Sequence, residues 1–208
     1  MILSDKEIRT YSENQVLPLI TPFVEDQLQG ASYDIRMSGN IIVLKSAGKP
    51  IDPMRDDDLS HMYERISVED KGYLLSPGEY VLVELAETVN IPKKMVAHIR
   101  PRTRFTRSGI LIADQHCNPT YSGVLSIGLF NAGVNPFILR PKLRIAQMVF
   151  EEIESVPSEN KLYKNKKNAA FEGEKEFRGS RFGEAGWSDA GKRLYNDLLA
   201  SLEEGDKG

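Results

Sequence analysis

Apolar side chains recur at every second position along much of this chain. Tyr33, Ile35 and Met37 alternate with polar neighbours, and Ile41 to Leu44 form a β-branched and apolar run, so residues 31–45 are predicted as strands. Residues 73–75 read as a short strand, and Ser76-Pro77-Gly78-Glu79 as a turn into a strand over 80–85. Further short apolar runs follow at 95–100, 110–116, 124–130, 137–139 and 145–150, each set off by turn residues. No long helical period separates them, which predicts an all-β barrel or sandwich.

Three stretches break this rhythm. Ser4 is placed to cap a short helix over 5–12, with Asp5 and Glu7 favourable in its first turn. Residues 50–60 are acidic and punctuated, a solvated loop. After Glu151 the composition shifts: residues 156–186 are rich in Lys, Glu, Asn and Gly and read as a flexible arm. Ser188 then resembles a second N-cap, and Leu194, Leu198 and Leu202, flanked by Tyr195 and Leu199, make a helical stripe. The expected organisation is a β-domain over 1–155, an arm over 156–186 and a helix over 187–208. That helix is expected to pack on the barrel or on a neighbouring subunit, with a docked partner as the alternative.

Composition narrows the partners. A chain of 208 residues is long enough for one domain with a real core, and its net charge of −3 argues against a general nucleic-acid binder. One cysteine, Cys117, excludes an internal disulfide and suits a reducing cytosol. No stretch approaches 18 apolar residues and no basic-then-apolar leader opens the chain, so a soluble, cytoplasmic protein without a membrane partner is expected.

Against that weakly acidic background stands a local basic cluster, with Arg100, Arg102, Arg104 and Arg107 inside eight residues. Four guanidinium groups so close together repel unless an anion sits among them, and their planar forks suit phosphate oxygens. A solvated basic edge strand is the plainer alternative. His61, His98 and His116 show no metal-ligand spacing, the zinc-deaminase signature His-x-Glu with Pro-Cys-x-x-Cys is absent, and neither a P-loop nor a Rossmann glycine pattern occurs.

The surrounding residues resemble a known family. Pro101-Arg102-Thr103-Arg104-Phe105-Thr106-Arg107-Ser108-Gly109 resembles the phosphate-binding motif of dCTP deaminases in the dCTP deaminase/dUTPase superfamily. Ser32-Tyr33-Asp34-Ile35-Arg36 is similar to its early Ser-x-Asp-x-Arg motif, and Asn118-Pro119-Thr120-Tyr121-Ser122-Gly123 to its Asp-Pro-Gly-Trp-Ser-Gly turn. Leu129 to Gly133 resembles the strand end that follows, Phe171-Glu172-Gly173-Glu174 with Ser180-Arg181 its C-terminal arm, and Met1 to Asp5 its opening. The motifs occur in the family's order over roughly residues 1–182. The resemblance implies a distorted jelly-roll β-barrel of the dUTPase-like type, a homotrimer with sites between subunits, and an arm that closes over nucleotide as a lid.

It also implies a chemistry: deamination of dCTP to dUTP without zinc, through a buried glutamate that activates water, with Mg²⁺ carried on the triphosphate. By the same resemblance Arg102, Arg104 and Arg107 hold phosphate or the site's framework, and Thr103 supplies a hydroxyl. Asn118, Thr120 and Tyr121 form the sugar pocket, while Tyr163, Phe171 and Glu174 come from the lid. Two positions depart from the pattern. The family's glutamate falls on Gly128, and the aspartate by which dUTPases activate water falls on Asn118. Neither replacement is a base, and losing one typically costs 10²- to 10⁴-fold. Substitute carboxylates are sought in Asp114, Glu172 and Glu174, which a lid could bring into space that Gly128 leaves open. Ala170 stands where the arm often carries a phosphate-binding lysine, with Lys166, Lys167 and Lys175 nearby. Three readings follow: a dCTP deaminase with a shifted carboxylate, a dUTPase-like pyrophosphatase, and a non-catalytic nucleotide-binding relative.

Overall fold

A computed structural model describes residues 1–52, 59–166, 169, 171–180, 193–198 and 200–201. The first helix, α1 (Asp5–Ser12), starts where predicted: the Ser4 amide donates to the Glu7 carboxylate at 2.8 Å, the reciprocal arm of a capping box. Strands β1 (Ile20–Thr21) and β2 (Leu28–Gln29) are brief. They precede β3 (Ser32–Leu44), β4 (Tyr63–Ser67), β5 (Tyr73–Leu75), β6 (Tyr80–Asn90) and β7 (Met95–Pro101). A single helical turn, α2 (Thr103–Arg107), leads to β8 (Ile110–Ile112), β9 (Gln115–Cys117), β10 (Ser122–Asn131), β11 (Phe137–Leu139) and β12 (Arg144–Glu152). The predicted all-β architecture is present. Of the acidic segment 50–60, expected to be solvated, residues 53–58 lie outside the described residues, while Leu59 at its end is buried, as is Met62 just beyond it.

One antiparallel sheet carries the fold, in the order β8-β10-β6-β3-β12-β7-β9, with β1 on β6 and both β2 and β4 on β3; β5 and β11 form a separate pair. The 13-residue β3 serves both halves. Its first part pairs with β12 and its last with β4 and β6, and the register slips between Met37 and Ile41. Such a bulge bends a strand and lets the sheet curl. The two ends of the strand path, β8 and β9, are consecutive in the chain, so the curl brings the ends of the sheet together.

Alternation fixes which face is inside. Val81, Val83 and Leu85 of β6, Ile127 and Leu129 of β10, and Tyr33, Ile35 and Met37 of β3 all join the core. Burying each such side chain stabilises the fold by about 2 kcal/mol. Leu82, Glu84, Ser126 and Gly128 point to the opposite face, outside the curl, and it is this face that the arm covers.

The run 110–116 is broken where one strand was predicted. Ala113 donates its last sheet bond to the Gly128 carbonyl at 2.9 Å, and the chain then crosses to pair with β7 as β9. The basic segment also holds an unpredicted helical turn. Phe105 is buried beside Phe137, 5.6 Å between ring centroids, and Gly109 ends the turn at φ +80°. A Cβ at Gly109 would lie 2.7 Å from the Gly133 backbone, so only glycine fits. Near the C-terminus residues 193–198 are helical. Tyr195 is the buried residue there, while Leu194 and Leu198 of the expected stripe are 73% and 52% exposed; Ser188, Leu199 and Leu202 lie outside the described residues.

Candidate nucleotide site

The early Ser-x-Asp-x-Arg motif lies on one face of β3 and forms a buried ionic network. Asp34, 2% exposed, pairs with Arg102 at 3.2 Å and with Arg144 at 3.8 Å. Arg102 also donates to the Arg144 carbonyl at 3.2 Å. Arg36 donates to Glu87 at 2.8 Å, and fully buried Glu87 further accepts from the Arg36 amide and from Gln27. Arg102 is therefore part of the framework that joins β3, β12 and the end of β7. Burial depresses its pKa slightly against the pull of Asp34.

The turn Asn118–Gly123 bends at Thr120. Thr120 stands where the family has glycine and holds φ +68°, an uncommon region for a β-branched side chain. Its Oγ1 accepts from the Lys164 amide at 3.2 Å. The next residue, Tyr121, is 5% exposed and meets Tyr163 edge to face at 5.5 Å. Tyr163 in turn donates its amide to the Pro119 carbonyl at 3.0 Å and accepts at its hydroxyl from the Phe171 amide at 3.2 Å.

From there the arm is stitched to the outer face of the sheet. Gly173 donates to Ser122 O at 2.9 Å, Val124 donates to Glu174 O at 2.7 Å, and Glu174 bridges Gly123 in parallel. The Phe177 amide donates to Glu84 at 2.9 Å, and Glu84, 3% exposed, also holds Arg65 at 2.7 Å. Tyr63 meets Phe177 edge-on at 4.9 Å and donates to Ser180 at 2.8 Å. The arm thus closes on its own chain.

Beneath it is a cavity of about 350 Å³, within the range of small-ligand sites. Asn118, Tyr121, Tyr163, Phe171 and Glu174, all nominated from sequence, line it, with Gln115, His116 and Cys117 of β9 and Leu82, Leu125 and Ser126 from the sheet. It sits at the seam where β9 approaches β10 without a backbone ladder. Among its described lining Glu174 is the only carboxylate; it is 6% exposed and accepts from the Arg178 amide at 2.8 Å. Desolvation, then His98 and Lys166, lower the pKa of His116, which is neutral at physiological pH. Burial pushes the Cys117 thiol up to about 12 and raises the Tyr121 phenol as well.

The remaining candidates lie elsewhere. Thr103, Arg104 and Arg107 are exposed on α2 and do not line the cavity. Asp114 is paired with Arg100 at 2.7 Å. Glu172 is off the cavity wall, with one carboxylate oxygen buried and unbonded among the described residues, and desolvation raises its pKa. Lys167, Ala170 and Arg181 lie outside the described residues. The space expected at Gly128 is not open: a Cβ there would lie 2.1 Å from the Tyr80 hydroxyl. Sequence reasoning missed Gln115, Ser126 and Phe177. Only Phe177, an aromatic in a polar arm, carried a usable signal.

Comparison with known proteins gives the family. The family model described as dCTP deaminase-like matches residues 2–153. A dUMP-forming dCTP deaminase of Dictyoglomus turgidum is 35% identical over 171 residues, covering 79% of this chain and 86% of that one. A dCTP deaminase of Haloarcula marismortui is 34% identical over 162 residues, covering 74% and 82%. The crystal structure of the 2′-deoxycytidine 5′-triphosphate deaminase of Agrobacterium tumefaciens superposes with a TM-score of 0.60 at 21% identity, covering 73% of this chain. This chain spans 48% of that one, about half its length. The fold is thus the distorted jelly roll of the dUTPase-like type, and the chain belongs to the dCTP deaminase-like family.

Proposed function

We propose that the protein binds a deoxynucleoside triphosphate, dCTP or dUTP, and hydrolytically deaminates dCTP to dUTP with Glu174 as acid and base. The convergence of turn and arm residues on one cavity supports this reading, because its described lining holds one carboxylate, Glu174, together with Asn118 and Tyr121. Glu174 takes a proton from water as the water oxygen attacks C4 and passes it to the ring, then carries the second proton from the new C4 hydroxyl to the amino group, which leaves as ammonia as the C4 carbonyl forms. Arg104 and Arg107 reach the triphosphate, and Thr103 supplies the hydroxyl that orients water, from a second copy in a homotrimer. Their exposure on α2, away from the cavity of their own chain, supports this arrangement. Mg²⁺ accompanies the triphosphate. Bound through the phosphate oxygens, it would offset the charge of the triphosphate. The single cysteine suits a cytoplasmic location.

A second reading, nucleotide binding without turnover, is favoured by one observation: Tyr80 fills the space over Gly128, the position to which the resemblance assigns the family's glutamate. Incubation with dCTP and, separately, dUTP, each with Mg²⁺, followed by chromatography of the nucleotides, separates the two. Conversion of dCTP is expected, with Glu174→Gln lowering the rate about 10²-fold or more while binding persists. Unchanged turnover in Glu174→Gln removes this residue from the mechanism. Binding without conversion in the wild type establishes the second reading.

A further inference from the structure

Two histidines far apart in the chain are neighbours in the sheet. His98 on β7 and His116 on β9 stand directly opposite each other in the antiparallel register, so their side chains share one face. Their ring centroids are 4.9 Å apart, and the rings are tilted by 55° rather than stacked. His116 is exposed and His98 half-buried, and neither ring has a hydrogen bond or ion pair among the described residues. On its other side His98 faces Val149 of β12, an apolar residue that cannot compete for its nitrogens. Burial, then His98 and Lys166, lower the pKa of His116, which favours the neutral imidazole that a metal binds.

We propose that His98 and His116 form a two-nitrogen site for a borderline divalent cation of the zinc, nickel or copper class. Imidazole suits these ions, whereas Mg²⁺ prefers oxygen. Metal–nitrogen bonds of about 2.0–2.1 Å put two ligating nitrogens roughly 3 Å apart. A ring turns about χ2 while its centroid stays nearly in place, so rings this close bring two nitrogens to that separation without moving either strand. With no third His, Cys, Asp or Glu beside them among the described residues, the pair makes an open chelate rather than a closed structural cage. The effect of a bound ion is mechanical. Strand β9 is held to β7 through Ala97–Cys117, His98–His116 and Ile99–Gln115 alone, and it puts Gln115 and Cys117 on the cavity wall. An ion bridging the two strands steadies that wall.

The test is Cu²⁺ titration of the full chain followed by electron spin resonance, copper being the tightest binder of the divalent series. The wild type is expected to take Cu²⁺ at this pair, with echo modulation from two imidazoles. His98→Ala and His116→Ala should each weaken that site about 10-fold or more, and His61→Ala should leave it unchanged. Copper held equally well by both alanine variants belongs to another group, such as the amino terminus, and overturns the inference, as does a lack of binding. Should a variant fail to fold, the wild-type spectrum decides alone: two imidazoles support the pair, and one or none overturns it. Zn²⁺ should raise the thermal midpoint of the wild type and not that of His98→Ala; an equal rise in both overturns the bridge. None of these readouts uses nucleotide, so they stand apart from the assay of turnover.

Discussion

At the residue scale the decisive neighbours are Gly128 and Tyr80. Sequence alone shows that position 128 has no side chain, but not what fills the space. The phenol that lies over it comes from β6, and the two strands meet through a register that pairs Gly128 with Leu82 and Phe130 with Tyr80. Placing a carboxylate at 128 therefore requires Tyr80 to swing away. Gly128→Ala is expected to destabilise the fold by about 1 kcal/mol, and the cost should vanish in a Tyr80→Ala background. Denaturant midpoints around the double-mutant cycle measure this; purely additive effects would contradict the contact. For the same reason Gly128→Glu should raise deamination only when Tyr80 is also truncated. Thr120 was equally opaque, since its side chain gives no sign that its backbone adopts a glycine-like angle.

At the element scale the arm is the least legible part. Its composition reads as solvated chain, yet its bonds run to Ser122, Val124, Glu84 and Tyr63, partners spread over three strands that only tertiary structure assembles. Aromatic Phe177 hinted at docking, whereas buried Glu84 looked like an ordinary polar position in an alternating strand. By contrast β3, β6 and β10 were readable because alternation directly encodes a two-sided strand. The 110–116 run failed because two short strands in different ladders follow one another with only Ala113 and Asp114 between them, and a lone Asp is too weak a turn signal to divide the run. The arm's hold should vary with acidity. Burial raises the Glu172 carboxyl above its ordinary 4.5. Its favourable contribution is therefore full below that value and is lost as pH rises through the shifted one. Limited proteolysis of the arm should accelerate over that interval, and Glu172→Gln should flatten the dependence and slow cleavage at neutral pH. An unchanged profile in the variant would assign the pH effect to another group.

At the scale of the whole molecule the arm and α2 belong to different places on one chain. The sequence placed both in a single site, since motif order carries no information about which copy supplies which motif. Arg102 shows the limit: its fork suits phosphate, but Asp34 and Arg144 O already use it. If two copies complete each site, Arg107→Ala and Glu174→Gln are each inactive alone. Co-expressed in equal amounts, they should regain about a quarter of the wild-type rate, because one interface in four joins an intact α2 to an intact arm. No recovery in verified mixed oligomers would place all catalytic groups within one subunit.

The barrel is also closed by its own two ends. Leu3 donates to Phe150 O and Glu152 to Met1 O, both at 2.9 Å, and Ile2 bridges Glu151. During synthesis, then, β3 emerges long before β12, the strand that completes its ladder. The nascent chain must hold an open apolar edge until residue 152 has left the ribosome. Folding of such a non-local topology is slow and late, and the interval of exposed edge makes this β-domain a natural client for chaperones that shield growing chains.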